Sequence, residues 1–204
     1  MKLLLVLTLF ITSFTVSAEE TDVLPILVKP QGWAINFNFG NTAINSELAT
    51  QGIDSSAFTF GMSFDYLEQD WYSSILINIV EFDDNYGFSQ DVIGTGLGNS
   101  GSYDTAKSSA SASSIGGAFG KAWFVNGNKS MFYAQAGLNL VIDATRGIDN
   151  CSDCYEEDLE VEGGLFTRFG ASIYFDNFIL GLYTTMALTG DIDSDFGITA
   201  GFKY

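Results

Sequence analysis

The sequence predicts an all-β protein that folds as an eight-stranded antiparallel transmembrane β-barrel, an up-and-down meander. Three observations predict this fold. Apolar residues alternate with small or polar residues in eight separate segments, which is the period of a strand with two unlike faces. Short and long connections alternate between these segments. The composition, with 22 Gly, 18 Phe and 9 Tyr but only 2 Pro among 204 residues, favours strands and turns.

The N-terminus has the pattern of a secretory signal peptide. Lys2 precedes an apolar run, and Val16-Ser17-Ala18 supplies a small-residue cleavage pattern. A transmembrane anchor is the alternative, but the run is shorter than the roughly 20 residues that a spanning helix needs. The predicted divisions are a signal peptide over residues 1–18, a short periplasmic segment over residues 19–30 and the barrel over residues 31–204.

The first four segments supply one half of the barrel. Three of them alternate clearly, over residues 33–39, 58–66 and 75–79. The fourth, over residues 115–123, is weaker because Lys121 falls on its apolar face. We expect Lys121 to lie near the strand end and to extend its ammonium group towards the interface. A β-bulge at this position is the alternative.

The last four segments supply the other half. They cover residues 132–142, 165–175, 178–188 and 196–204. The first of them alternates most clearly, with Phe132, Leu138 and Leu140 on the apolar face. Eight strands return both ends of the chain to the same side of the membrane.

The connections differ in length and composition. Tight turns are predicted at residues 67–70, 125–129 and 176–177, and longer, mostly polar and acidic connections at residues 41–56, 83–113, 145–158 and 189–195. In a transmembrane barrel the turns face the periplasm and the long loops face the outside of the cell. Residues 94–117 are nearly all Gly, Ser, Ala, Thr and Asn. We expect most of this stretch to be a mobile loop, because it can bury little apolar area.

The polar face of the strands indicates which side points outward. A soluble barrel would carry Lys and Glu on its outer face, whereas this face carries mainly Gly, Ala, Ser, Thr and Asn. Such residues fit the narrow lumen of an eight-stranded barrel. Trp33, Trp71 and Trp123 lie near the ends of apolar segments, where they would form interfacial girdles. Core packing in a soluble sandwich is the alternative explanation of these aromatic residues.

The last segment, Phe196-Gly-Ile-Thr-Ala-Gly-Phe-Lys-Tyr204, resembles the final strand of the small outer-membrane barrels of the OmpA and OmpX type. In that family the barrel assembly machinery recognises a last strand with alternating apolar residues and a C-terminal aromatic. Phe is the usual final residue, so Tyr204 departs mildly from the pattern. The resemblance implies the outer membrane of a Gram-negative bacterium as the location. The assembly-signal residues that it implies are Phe196, Ile198, Phe202 and Tyr204.

The charge and the absence of histidine exclude several function classes. The net charge of -17 argues against a nucleic-acid partner. The chain has no His, and the outer-membrane barrel enzymes that resemble this size class use histidine as a base near neutral pH. Glu160 and Glu162 would point to one face of a strand and could replace a histidine. A solvated strand extension is the simpler explanation of that pair.

The third long connection carries two candidate sites. After export, Cys151 and Cys154 would meet an oxidising compartment, so we predict a disulfide between them. A site for Ca²⁺ or Mg²⁺ is a second hypothesis, since hard oxygen ligands crowd this loop, and neighbouring lipopolysaccharide phosphates could share the ion. A solvated acidic loop that binds no metal or other cofactor is the alternative. The candidate metal ligands are Asp149, Asp153, Glu156, Glu157 and Asp158.

One cation is predicted to lie inside the barrel. Arg168 falls on the lumen face, where its guanidinium must find acceptors or stay hydrated. The expected neighbours at a similar height are Tyr133, Gln135, Tyr183 and Asn36, and no carboxylate is expected there. Arg168 then either fills the lumen or gates a narrow path for water or ions.

The sequence therefore predicts a monomeric, non-enzymatic outer-membrane protein in contact with lipid and lipopolysaccharide. Its expected role is structural, or is a surface interaction through the acidic extracellular loops. A narrow channel for small polar solutes or ions is the alternative, and a lipid-modifying enzyme is less favoured. Aromatic side chains on the inner face would block a channel. They are Tyr72, Tyr133, Phe166, Tyr174 and Tyr183.

Overall fold

The structure is a computed structural model that describes residues 31–46, 48–84, 86–91, 103–148 and 156–204. These residues form one short 3-10 helix, Leu48–Gln51, and ten strands. The strands are β1 (Gly32–Ile44), β2 (Ile53–Glu68), β3 (Trp71–Asp84), β4 (Gly87–Asp91), β5 (Tyr103–Val125), β6 (Ser130–Ile148), β7 (Glu156–Asp158), β8 (Leu165–Phe175), β9 (Phe178–Ala187) and β10 (Ile192–Lys203).

Eight of these strands close into a ring. β1 pairs with both β2 and β10, and β5 pairs with both β3 and β6. The pairs β2–β3, β6–β8, β8–β9 and β9–β10 complete the circle, and every pair is antiparallel. The predicted eight-stranded antiparallel barrel is therefore confirmed. The short strands β4 and β7 lengthen the hairpins at β5 and β6. In the part of the chain that the structure describes, no helix is long and apolar enough to cross a membrane.

The three predicted tight turns lie together at one end of the barrel, called here the turn end. They separate β2 from β3, β5 from β6 and β8 from β9. Gln69, Asn126, Asn128 and Asp176 adopt φ angles between 53° and 65° in these turns. Asn and Asp tolerate this left-handed conformation better than most residues, which suits them to tight hairpin connections. The opposite end, which carries the long connections, is called the loop end.

The apolar face points away from the lumen. Ile75, Phe119 and Leu140 are 51%, 54% and 55% exposed, whereas the inward-facing Ser63 and Thr199 are 1% and 5% exposed. Lys121 lies on the outer face as predicted, and its Nζ sits 3.4 Å from the centre of the Trp71 ring. The strand pairing continues without a shift through Lys121, so the bulge considered at this position is absent.

The strands at the loop end are longer than the sequence suggested. The expectation of a mobile loop over residues 94–117 is wrong for residues 103–117, which belong to β5. Their side chains are small, but residues 103–107 pair with β4, and residues 110–117 pair with β3 on one side and β6 on the other. Hydrogen bonding to two neighbours therefore orders a stretch whose composition resembles that of a loop. The predicted connections 41–56 and 145–158 are likewise partly strand.

A β-bulge in β6 changes which residues face the lumen. Ser113 pairs with Asp143 while Ser114 pairs with Val141, so Ile142 is an extra residue without a partner. One extra residue moves every later side chain to the opposite face. Before the bulge the odd-numbered residues of β6 point inward, and after it Arg146 does so instead.

Candidate functional site

Apolar side chains fill the lumen at the turn end. The turn-end cluster contains Leu67, Tyr72, Ala122, Met131, Tyr133 and Tyr183, with Phe124 and Tyr174 packed against it. The Tyr72 and Tyr133 rings lie 5.0 Å apart, and the Tyr174 hydroxyl donates to Met131 Sδ over 3.3 Å. Of the five aromatic residues expected to block a channel, Tyr72, Tyr133 and Tyr183 belong to this cluster and Tyr174 packs against it. Phe166 is buried in a separate small cluster with Leu76 and Ala118.

Polar side chains occupy the middle of the lumen. The structure places Arg168, Gln135, Tyr133, Tyr183 and Asn36 inside the barrel, each at most 6% exposed. Arg168 NH2 donates to Asn38 Oδ1 over 3.1 Å, and its guanidinium lies 4.4 Å from the Tyr183 ring centre. Gln135 Nε2 donates to Ser74 Oγ over 2.8 Å. Arg168 is therefore held by the neutral side chains of Asn38 and Tyr183.

Two carboxylates also lie inside the barrel, although none was expected beside Arg168. Asp65 is 4% exposed, and its Oδ2 accepts hydrogen bonds from Asn36 Nδ2 at 2.5 Å and Ser63 Oγ at 3.0 Å. Asp195 is half-buried and accepts from Thr42 Oγ1 at 3.4 Å. The expectation was wrong because relative height depends on strand register, which alternation does not reveal. The signal for Asp65 was present, since it alternates with apolar Phe64 and Tyr66.

A cavity with both polar and apolar lining lies between the middle of the lumen and the loop end. Its volume is about 70 Å³, and its lining includes Arg168, Asn38, Tyr183, Asp195 and Ser114. The Tyr183 hydroxyl lies beside Asp195 but does not form a hydrogen bond of good geometry. The cavity therefore combines a buried cation, the carboxylates of Asp195 and Glu162, and several neutral polar groups in one place.

A second apolar cluster closes the loop end. This loop-end cluster contains Ile44, Leu48, Ile53, Ala57, Val80, Phe82, Ala110, Ala112, Ala144 and Leu159. Leu159 belongs to residues 159–164, called here the strap, which cross from β6 towards the 3-10 helix. The Leu159 amide donates to Ala144 O over 2.9 Å, and the Gln51 side chain exchanges two hydrogen bonds with the backbone of Glu160. The strap therefore covers the lumen at this end.

Arg146 joins the parts of the loop end. Its side chain is 2% exposed, and it forms a bidentate pair with Asp84, with Nε to Oδ2 at 2.7 Å and NH2 to Oδ1 at 3.1 Å. NH1 donates to Glu157 Oε1 over 2.9 Å, and NH2 also donates to Gln51 O over 2.5 Å. The guanidinium lies 4.7 Å from the Tyr86 ring centre. Burial alone would lower the pKa of Arg146, but its hydrogen bonds to Asp84 and Glu157 raise the pKa above the usual value.

The outer surface of the loop end is acidic. Glu81 and Asp83 on β3 and Asp143 on β6 point outward. On β5 between them, Ser111 pairs with Glu81 and Ser113 pairs with Asp143, and Ser109 is exposed beside them. This outward surface of the three strands is called here the serine face. Other exposed carboxylates lie elsewhere at the loop end. They are Asp54, Glu156, Asp158, Glu160, Glu162 and Asp193.

The predicted loop sites are only partly described. Glu156, Glu157 and Asp158 form β7, and Glu157 pairs with Arg146. The described residues contain no group of three His, Cys, Asp or Glu side chains arranged to hold a metal ion. Four predicted site residues lie outside the described residues. They are Cys151, Cys154, Asp149 and Asp153.

The predicted assembly-signal residues lie on β10, the strand that closes the barrel against β1. Phe196, Ile198 and Phe202 point outward with the rest of the apolar face, and Tyr204 follows directly after the strand. Their position joins the two ends of the described barrel. A role in recognition by the assembly machinery remains a prediction.

Comparison with known proteins gives likenesses of structure alone. No model of a known protein family matches the chain, and no curated protein matches it. A similar solved structure is that of Ail, the attachment invasion locus protein of Yersinia pestis, in complex with the heparin analogue sucrose octasulfate. The two chains are 11% identical with a TM-score of 0.48, over 86% of this chain and 100% of that one. The fold therefore rests on the strand pairing of this chain itself.

Proposed function

We propose that the protein is a non-enzymatic barrel of the Gram-negative outer membrane. The outward apolar positions on β3 run from Trp71 to Ile79, and this length of nine residues matches the roughly 9–11 that a strand needs to cross a bilayer. A soluble protein would leave this whole belt in water, which is unfavourable for so large an apolar area. The signal-peptide pattern and the final strand support the same location.

Cell fractionation tests the location. The protein should sediment with the outer membrane and migrate differently in gels before and after boiling, because a closed barrel has no free sheet edge from which to unfold. Recovery from the soluble periplasm would contradict the proposal.

The role that the geometry supports best is interaction at the cell surface through the acidic loop end. The observation that carries this proposal is the ordered extension of β2, β3, β5 and β6 beyond the apolar belt. The loop-end cluster and Arg146 hold this extension in one conformation, so the serine face is displayed on a rigid support. Exposed carboxylates on a rigid surface attract cationic partners and repel polyanions.

A binding experiment with charged probes tests this role. The folded protein in nanodiscs of zwitterionic lipid should bind an oligolysine peptide at low salt, lose that binding as salt rises, and not bind heparin. Neutralising Glu81, Asp83 and Asp143 as Gln, Asn and Asn should weaken the binding about tenfold. Equal binding by this variant, or binding of heparin, would contradict the proposal. The matched control is Asp176→Asn at the turn end, which should bind as the wild type does.

The channel alternative has less support. The turn-end cluster and the strap lie across the lumen at its two ends, so a solute would have to displace both in order to cross. The purified barrel in a planar bilayer should therefore show no steady single-channel conductance. A stable open level that is lost when Arg168 is replaced by Met would favour the channel instead.

A further inference from the structure

We infer that the cavity in the middle of the lumen is a binding site for a small zwitterion that carries one carboxylate and one ammonium group, such as glycine or alanine. This site is separate from the serine face and goes beyond the surface role.

The size and position of the cavity suit a ligand of this kind. One water occupies about 10–15 Å³ of such a volume, so the cavity of about 70 Å³ holds roughly five groups of that size. Glycine contains five non-hydrogen atoms. The lining includes the exposed residues Glu162 and Thr189, so the cavity reaches the protein surface at the loop end. The turn-end cluster closes the cavity on the side of the turn end.

One wall of the cavity suits a carboxylate. Arg168 and Asn38 are buried there, and neither Arg168 Nε nor Asn38 Nδ2 has a hydrogen-bond partner. Both atoms are donors, and a guanidinium binds a carboxylate with charge-assisted hydrogen bonds. Asp65, the buried carboxylate nearer the turn end, uses its Oδ2 to accept from Asn36 and Ser63. Arg168 Nε and Asn38 Nδ2 are therefore available to donate to a ligand.

The carboxylate of Asp195 lines the same cavity as the guanidinium of Arg168. Arg168 pairs with Thr185 across β8 and β9, and Thr185 pairs with Asp195 across β9 and β10. Arg168 and Asp195 thus occupy one row, two strands apart, with Cα atoms roughly 10 Å from each other. A simple anion in the cavity would be repelled by Asp195, and a simple cation by Arg168. A zwitterion meets both side chains with the complementary charge.

The neutral groups of the lining support a polar occupant. Seven buried side-chain atoms of the described residues have no hydrogen-bond partner, and five of them belong to residues that line this cavity. Besides the two donors they are Ser114 Oγ, Asn139 Oδ1 and the Tyr183 hydroxyl. Buried polar groups seldom remain unpaired in folded proteins, and a hydrogen-bonding molecule in the cavity would pair these atoms. Water alone would meet this requirement, which makes water the alternative that the experiment must exclude.

The test is a titration with four probes of similar size: glycine, acetate, methylammonium and acetamide. Nuclear magnetic resonance of the detergent-folded protein would follow the Arg168 Nε–H and the amides around the cavity. Glycine should saturate in the millimolar range and bind at least about tenfold more tightly than the other three. Asp195→Asn should reverse the preference, so that acetate binds more tightly than glycine. Asp193→Asn, an exposed change on the same strand, is the matched control and should keep the wild-type order.

The outcomes separate the possibilities. No saturable shift with any probe would show that the cavity contains only water and would overturn the inference. Equal binding of all four probes, or an unchanged glycine preference in Asp195→Asn, would overturn the charge argument. Each variant is first checked for the heat-modifiable gel mobility of the folded barrel. Asp195→Asn keeps the size of the side chain, so it tests the charge argument with little change in packing.

Discussion

Replacing Arg146 with Met would remove the side chain that joins four parts of the loop end. Arg146 lies on β6 and binds Asp84 of β3, Gln51 of the 3-10 helix and Glu157 of β7. Methionine is apolar and of similar length, so the change removes the charge and the hydrogen bonds while leaving part of the packing. The membrane-facing strands do not depend on these bonds. We therefore expect local opening of the loop end and an intact barrel.

The size of the effect follows from the burial of the partners. The Asp84 side chain is 1% exposed, and breaking a buried ion pair by removing one partner costs about 3–5 kcal/mol. The Glu157 side chain is 32% exposed and can regain water, so it adds at most about 1 kcal/mol. Since roughly 1.4 kcal/mol is a factor of ten, the equilibrium constant for local opening should rise by at least a hundredfold.

Hydrogen exchange measures this opening directly. The amides of Leu159 and Glu160, which bond to Ala144 and Gln51, should lose at least about a hundredfold in protection. The amide of Ile77 in the middle of β3 should be unchanged. Adding Asp84→Leu to Arg146→Met should restore much of the protection, because an apolar pair can replace a buried ion pair at little cost.

Two results would refute this reasoning. Protection of Leu159 and Glu160 within threefold of the wild type would show that Arg146 does not hold the strap. A double variant no more protected than Arg146→Met would show that the buried charge of Asp84 is not the cause. Lys129→Met, which removes an exposed cation at the turn end, is the control and should leave all these amides unchanged.

Three further predictions concern the loop and the last strand. Cys151 and Cys154 should be joined, so thiol titration of the unreduced protein in denaturant should find none; two thiols would refute the bridge. The acidic loop should bind Ca²⁺ in calorimetric titration, and changing Glu156 and Asp158 to Gln and Asn should weaken the binding; a flat wild-type titration up to millimolar Ca²⁺ would leave it a solvated loop. Deleting residues 202–204 should abolish assembly without affecting secretion, and normal surface yield would contradict the assembly-signal prediction.

The strand pattern was the part of the fold that sequence reasoning could predict. In residues 58–66 each inward position is small or polar and each outward position is large and apolar, so the face of every side chain follows from alternation. Asn and Asp in the short connections predicted the turn end in the same local way. These features depend on neighbours within a few residues of each other.

The structure of the loop end could not be predicted from local sequence patterns. The bulge at Ile142 moves Arg146 from the outer face into the lumen, and nothing in the residues around it marks the extra position. Its partners Asp84 and Gln51 come from other connections and reach it only through the strand register. Residues 110–117 of β5 are likewise ordered by pairing with two other strands, which composition cannot show.

The two buried arginines, Arg146 at the loop end and Arg168 in the middle of the lumen, differ in how well their hydrogen-bond donors are paired. Arg146 has a bidentate carboxylate, a second carboxylate and a backbone oxygen around it, so its charge and each of its three nitrogens are matched within the chain. Arg168 has one amide oxygen, the Tyr133 hydroxyl and an aromatic face around it, and its Nε has no partner. A fully matched buried cation serves structure, because any ligand would have to displace better partners. A buried cation beside a cavity that has an unpaired donor can bind a ligand through that donor. This difference between the two arginines supports the middle of the lumen as the site for the zwitterion inferred above.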